Sequence, residues 1–425
     1  MNRQQLDDRL TMRTGTLKML NVMLGYPDTL SYDDYYQAFR RIGICKRIIK
    51  ANVDFTWRTH PIIKQDKNRG KANIQSEIEQ LDKRLKLFNV LKRADTLACI
   101  GQYSILVIGT KDGEKLDTPL KKGNGIEDIA FLTAYSEKQA AVNTWDTNTN
   151  SPRYGLPETY RINVQGQGLT TVSHLIHHSR VIHIADDTID NEIYGTPKLE
   201  APFNYIHDLY KTVGSSAEMF WLGAYQGLVF SVDGEKTLNV TPEALDEMDK
   251  NIEEYYNKAR RNLKLYGTEV HSLPSITPNP SGIVDVLLQL ISAASGIPTR
   301  ILLGSEQGQL ASSTDRDMFL SMIAGRRENF ADGVVLEPLI NRLIEHGYIQ
   351  SQGDYEIEWT PLIERDAGER LLDAQRMVQT ARQAVGPTGE IGEVIRLEEI
   401  REAMGLDKEL PDLKDRAAIN GGDCH

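Results

Sequence analysis

Apolar residues recur at helical spacing in several long stretches of this chain, and between those stretches they cluster as in strands. Ser31, followed by Asp33 and Asp34, opens a helix through Tyr35, Phe39, Ile42 and Ile49, with acids in the first turn where the helix dipole favours them. A second helix is predicted from Asn73 to Asp95, with Ile74, Ile78, Leu81, Leu85 and Phe88 on one face. Strand-like runs follow at Ala98 to Gly109, Ala130 to Tyr135, Glu158 to Val164 and Leu175 to Ala185. Helices followed by several strands predict an α+β domain up to about Gly195. The first 30 or so residues lack sustained periodicity and read as an arm.

The pattern changes from Pro202 to Gln226. Phe203, Ile206, Tyr210, Val213, Ala217, Phe220 and Ala224 alternate in steps of three and four, the spacing of a seam that packs lengthwise on another helix. This segment carries few charges, so it predicts either a core helix of a monomer or a helix face covered by a neighbouring subunit. Leu228 to Val232 reads as a short strand. Thr241, or Pro242 in the first turn, then opens a helix to about Arg261, with acids near its start and Lys258, Arg260 and Arg261 near its end. Gly267 to Leu273 is strand-like, and a Pro-rich loop leads to Ser281. From Ser281 to Ser295, Val284, Leu287, Leu288 and Ile291 form one apolar stripe.

After a Gly-Ile-Pro stop comes Leu303 to Thr314, a small polar stretch with two glycines and almost nothing to bury, which predicts a mobile, exposed loop. Ser312 with Asp315, or Thr314 with Asp317, has capping-box spacing and predicts a helix start there. Phe319, Met322, Ile323, Phe330 and Val334 then lead to Leu339, Ile340, Leu343 and Ile344. Gly333 and Pro338 interrupt this run. A proline four residues after Val334 clashes with that carbonyl and removes a ladder bond, at ~3 kcal/mol in a plain helix, which predicts a long helix kinked near Val334. Beyond Ile349 the pattern gives one strand, Tyr355 to Trp359, and helices from Ala367 to Val385 and Leu397 to Gly405. The tail from Pro411 to His425 has no apolar stripe and is predicted disordered.

Apolar helix, small loop and long kinked helix, in that order, resemble the core of tailed-phage portal proteins. Two further segments carry the likeness. Ile176-His177-His178-Ser179-Arg180-Val181-Ile182-His183-Ile184, followed by Gly195-Thr196-Pro197 and a helix, is similar to the His-x-Ser-Arg-Val stretch of one branch of that family, and Leu397 to Leu406 is similar to the helical segment that closes many portal chains. The resemblance covers roughly Tyr35 to Leu406. It implies a portal-like α+β fold: an N-terminal arm (1–30), a wing (31–200), stem helices (201–226 and 281–298) around a small clip (227–280), a tunnel loop (303–313), a kinked helix with a wing strand (314–365), a helical crown (366–410) and a tail (411–425). It implies a ring, twelve-fold in that family, at one capsid vertex, through which double-stranded DNA is packaged and ejected without sequence specificity. Terminase, capsid or scaffold protein, and neck or adaptor proteins would be its partners, with no cofactor. Stem packing would fall to Phe203, Ile206, Tyr210, Val213, Phe220, Leu287, Leu288 and Ile291. Glu306, Gln307, Gln309, Ser312 and Ser313 would face DNA, and the helix kink would lie at Gly333 and Pro338.

Composition fits this expectation. At 425 residues the chain suggests two to three domains, and 40% hydrophobic with 26% charged residues is ordinary for a soluble folded protein. No apolar run reaches the length of a membrane span and the N-terminus leads into polar sequence, so the protein is expected to be kept in a cytoplasm; the resemblance implies the host cytoplasm during assembly and then the virion. Cys45, Cys99 and Cys424 show no Cys-x-x-Cys pairing. A net charge of −11 argues against a protein that grips DNA by neutralising phosphates, whereas a wall that DNA slides past benefits from an acidic lining. No Gly-x-x-x-x-Gly-Lys-Ser/Thr loop is present, which excludes a motor of the P-loop type.

Two rival readings follow from the same residues. One is a phosphodiesterase or nuclease built on His174, His177, His178 and His183. On one unbroken strand His177 and His183 would lie ~20 Å apart at about 3.3 Å per residue, too far to share a metal, and a second His-x-Thr or His-x-Ser motif is missing. The other is a capsid structural protein without a channel.

Overall fold

A computed structural model describes residues 17–65, 74–165, 171–223, 228–232, 268–272, 279–304, 309–350 and 354–362, with scattered positions between 241 and 253 and between 371 and 379, and residue 401. The chain divides into two compact units, Met1–Ile357 and Glu358–His425.

The first unit opens with α1 (Leu17–Leu24), a helix where the sequence pattern gave only an arm. The helix expected from Ser31 to Ile49 is two, α2 (Tyr32–Arg41) and α3 (Gly43–Thr56). Ile42 between them is extended; its N–H still donates to Ala38 while its carbonyl accepts from Lys46, so it ends one helix and starts the next. The helix opens at Ser31 as expected, and a capping box forms there that the sequence reading did not name, with the Asp34 carboxylate accepting from Ser31 N and Oγ. The next helix also splits, into α4 (Ile74–Leu85) and α5 (Leu87–Ile100), at a left-handed Lys86. Asp82 stabilises this break by accepting from the Phe88 N–H at 3.1 Å. Helix α5 therefore occupies residues read as the start of a strand, and the strand begins only at Ser104.

Two three-stranded antiparallel sheets follow. The first has the order β3 (Ile129–Ser136), β2 (Ser104–Thr110), β7 (Val181–Ile184), and the second β4 (Ala140–Trp145), β5 (Pro157–Gln165), β6 (Thr171–His177). Every residue of β2 but the last is buried, as a central strand covered on both faces requires. Tyr103, Ile105 and Val107 pack with Ala140, Tyr160, Ile162, Ile176 and Val181 in a core shared by the two sheets. On the opposite face of β2, Ser104 Oγ donates to the Ala94 carbonyl of α5. The stretch from Leu175 to Ala185 is thus not one strand. A 3-10 turn at His178–Arg180 breaks it and sends the chain from the second sheet to the first.

Two long helices come next, α6 (Phe203–Gly223) and α7 (Ser281–Ser295), packed on each other. Between them β8 (Leu228–Val232) pairs antiparallel with β9 (Thr268–Ser272), and the described positions from Glu243 to Glu253 are helical. Short α8 (Thr299–Leu303) leads to a continuous helical run: α9 (Gln309–Arg326), a π-helical segment (Arg327–Leu336) and α10 (Glu337–Glu345). Strand β10 (Tyr355–Glu358) pairs with β1 (Ile62–Gln65). In the second unit the described positions of 371–379, and Arg401, are helical; the rest of the two helices expected there, and the tail, lie outside the described residues.

Candidate functional site

Helix α6 has its first turns held against the preceding helices and much of the rest uncovered. The Phe203 ring meets Tyr35 edge-on, Ile206 is buried, and Asp208 accepts from the Tyr26 hydroxyl. Further along, Tyr210, Val213, Phe220 and Trp221 are exposed by half or more. Helix α7 is alike: Leu287 and Ile291 are buried and Leu288 partly so, while Ile283 and Val286 are exposed. The reading of α6 as a buried core helix is therefore corrected, because among the described residues the seam packs on α7 and, near its start, on Tyr35, and leaves the side chains beyond exposed. Fully burying such a side chain is worth about 1.5–3 kcal/mol, and a contiguous apolar surface of this kind marks an interaction site.

The segment that joins α7 to α9 is fixed at both ends. Gly296 and Gly304 both take the left-handed conformation that closes a helix, and Gly304 N–H donates to Arg300 at 2.8 Å. Arg47 of α3 donates to the Ile301 carbonyl at 3.0 Å. Glu306 and Gln307 lie outside the described residues, whereas Gln309, Ser312 and Ser313 are helical. The helix thus starts ahead of both capping boxes predicted at Ser312 and Thr314, which shortens the loop. Good helix formers ahead of the serines, Gln309, Leu310 and Ala311, carry the helix backward.

Gly333 lies within the π segment, and Pro338 sits at the first turn of α10, where the missing N–H costs little. The Glu337 N–H donates to the Asp332 carbonyl, five residues back. Wide turns of this kind carry the run past the proline and are frequent at functional sites.

Where α9 meets the π segment, Arg326 enters a buried charge network that sequence reading missed. Its guanidinium grips Asp95 with two bonds, at 3.0 and 2.6 Å, and Asp186 with a third at 3.0 Å. Asp95 is fully buried and also accepts from Trp57 Nε1 at 2.7 Å, while Lys198 pairs with Asp186 at 3.3 Å. Burial pushes the Asp186 carboxyl up, but Arg326 and Lys198 outweigh it and hold the carboxyl below its ordinary range. The network ties the long helical run to α3, α5 and the segment leading to α6. A signal existed: Leu87, Leu91, Ala94 and Ala98 define the buried stripe of α5, and Asp95 sits on it four residues after Leu91.

The histidines take up structural contacts. His177 Nδ1 accepts from Ser179 N at 3.2 Å and lies 2.8 Å from Ser179 Oγ, which accepts from Leu120 N. Arg180 is buried, donating to the Thr118 carbonyl, Thr110 Oγ1 and Asp112. Arg342 of α10 donates to the carbonyls of His178 and Ser179. His183 lies in the other sheet, stacked on Tyr103, with Nε2 2.8 Å from the Ile193 carbonyl and Nδ1 3.2 Å from the Tyr160 hydroxyl. Desolvation pushes His183 down and the bond to Ile193 only partly restores it; burial and Arg153 push His178 down to about 3. The rings of His177 and His183 are engaged, His178 leaves its buried Nδ1 without a hydrogen bond, and among the described residues no three His, Cys, Asp or Glu side chains converge as a metal site. The expectation of one strand carrying His177 and His183 is corrected by the turn at His178–Arg180, which the polar His-Ser-Arg sequence builds through its own side-chain bonds.

Solved chains from gene transfer agent particles share this fold. A solved chain from the neck of a native GTA particle, computed with C12 symmetry, aligns with a TM-score of 0.53 and 14% identity, over 88% of this chain and 93% of that one. A chain from the virion of a native gene transfer agent particle aligns at 0.52 and 15%, over 89% and 94%. An HK97-family phage portal protein from Corynebacterium diphtheriae aligns at 0.38 and 10%, over 80% and 97%. A comparison with curated proteins gave no match. The family model described as phage portal protein matches residues 34–382. The chain belongs to the phage portal protein family.

Proposed function

We propose that copies of this chain assemble side by side into a ring at a capsid vertex, and that double-stranded DNA passes through the ring during packaging and ejection. The observation that carries the reading is the uncovered apolar face of the α6–α7 pair, in a chain of the portal family. A similar fold forms a neck computed with C12 symmetry, which supports a twelve-fold ring here. Helices α6 and α7 then serve as stem, with Phe203, Ile206, Tyr210, Val213, Phe220, Leu287, Leu288 and Ile291 packing within and between subunits. The β8–β9 unit serves as the clip that meets terminase and later the neck proteins. The loop after Gly304 faces DNA through Glu306, Gln307, Gln309, Ser312 and Ser313, which offer hydrogen bonds without a cationic grip. The protein works without a cofactor and without catalysis, in the host cytoplasm during assembly and then in the virion. Among the described residues no helix is long and apolar enough to cross a membrane.

Light scattering coupled to size exclusion, with negative-stain imaging, tests the ring. The expected result is a particle many times 47.9 kDa with a central hole. A stable monomer at micromolar concentration, alone and with scaffold protein, overturns it. The phosphodiesterase reading predicts cleavage that vanishes when His177 and His183 become Gln; the engaged state of both rings speaks against it.

A further inference from the structure

A cleft of about 340 Å³ opens where the start of α2, the α5–β2 junction and the β3–β4 turn meet, and Tyr194 forms part of its wall. Tyr32, Tyr103 and Tyr194 supply aromatic surface, and the charges are Asp33, Glu137 and Lys138. Lys138 is already paired with Asp33, at 2.6 and 2.7 Å to its two oxygens, so that pair is closed on itself. Glu137 is left over. Its carboxylate is partly buried and accepts from the Gln102 N–H at 2.6 Å, and among the described residues no lysine, arginine or histidine pairs with it.

We propose that this cleft binds an organic monocation, a primary ammonium or guanidinium group, with its charge against Glu137 and its flanks against Tyr32 and Tyr194. Three observations converge. An acid in a half-buried place without a counter-ion gains more from a cation than an exposed one does. Tyrosine faces attract the same charge through their quadrupole. Burial pushes the Glu137 carboxyl above its ordinary value despite the backbone bonds from Gln102 and Tyr103, so the ionised form lacks compensation in the empty cleft. The cation needs that ionised form, so binding strengthens as pH rises through the Glu137 titration. The proposal is independent of ring formation.

The test uses the full chain labelled with 3-fluorotyrosine, with the Tyr32 and Tyr194 fluorine signals assigned from Tyr32→Phe and Tyr194→Phe variants. Methylguanidinium chloride should shift those signals saturably, and sodium chloride at the same ionic strength should not. Glu137→Gln keeps an acceptor for the Gln102 N–H and should weaken binding about tenfold or more, while Tyr194→Leu should weaken it about threefold. Urea unfolding of both variants checks that the fold is kept. No saturable shift, or equal affinity in a folded Glu137→Gln protein, overturns the proposal. Rings compared with free subunits identify the source. Binding lost on assembly assigns the cation to a lysine or arginine of a second copy, and binding retained assigns it to a free small molecule; either supports the site.

Discussion

Replacing Arg326 with Met removes the cation from the buried network and leaves both carboxylates in place. Asp95 has no exposure and would keep Trp57 Nε1 as its strong donor, while Asp186 would keep Lys198. Removing one partner of a buried pair costs about 3–5 kcal/mol, and these remaining partners put the expected loss near the lower figure, about 3 kcal/mol. In a chain of 425 residues that loss corresponds to a fall in Tm on the order of 3–4 °C. Arg326→Lys keeps the charge but not the planar fork that grips Asp95 at two points, so it should fall between, at about 1–2 kcal/mol. The network also sets an acid limit. The Asp186 carboxyl is held below its ordinary value in the fold, so its contribution is present above the unfolded pKa of about 3.9 and is lost as pH falls through the lower folded value. Arg326→Met removes the main cause of that depression, so the variant's loss should be largest near pH 7 and shrink as pH falls towards 4, where protonation relieves the unpaired carboxylates. Urea titrations at pH 7 and pH 4, with the Asp95→Asn variant closing a double-mutant cycle, measure both effects. A loss below about 1 kcal/mol for Arg326→Met at pH 7 would refute the claim that this network clamps the long helical run.

Three other outcomes follow from the same structure. His177, His178, His183 and His346 all have folded pKa values below 6.5, so their contribution is intact above that pH and is lost as pH falls below it. Each protonation difference adds a slope of about 1.4 kcal/mol per pH unit; urea midpoints from pH 7 to 5 should fall, and less steeply in His183→Gln, which should itself cost about 1–3 kcal/mol by unsettling a buried bond. Gly195→Ala would place its Cβ 2.1 Å from the Asp186 carbonyl oxygen, a backbone atom, so soluble yield and melting temperature should both drop sharply, whereas Gly214→Ala, with open space around it, should be tolerated. Pro338→Ala and Glu306→Lys should both leave rings intact while impairing DNA packaging, the first by letting the π segment rewind and the second by salt-sensitive drag on phosphate; normal packaging by both would remove the DNA role from this loop and helix.

Most helices and strands before Gly195 were legible in the sequence because their apolar spacing is local. The helix start at Ser31, the seam of α6 and the stripe of α7 needed no knowledge of neighbours, and the order of segments with the His-Ser-Arg stretch was enough to point to the portal family. Breaks were not legible where no glycine or proline marks them. Lys86 interrupts a helix within a run of good helix formers, and the side chain of Asp82 stabilises that break, whereas Gly43 directly after Ile42 was a local signal for the first break. The turn at His178–Arg180 was hidden because its bonds to Leu120, Thr118 and Asp112 come from residues some sixty to seventy positions away in sequence. The same holds for the Arg326 network, whose partners are 231 and 140 residues distant. A charge on an apolar stripe can be seen in the sequence, but which opposite charge makes its burial tolerable is decided by desolvation and geometry once the chain has folded.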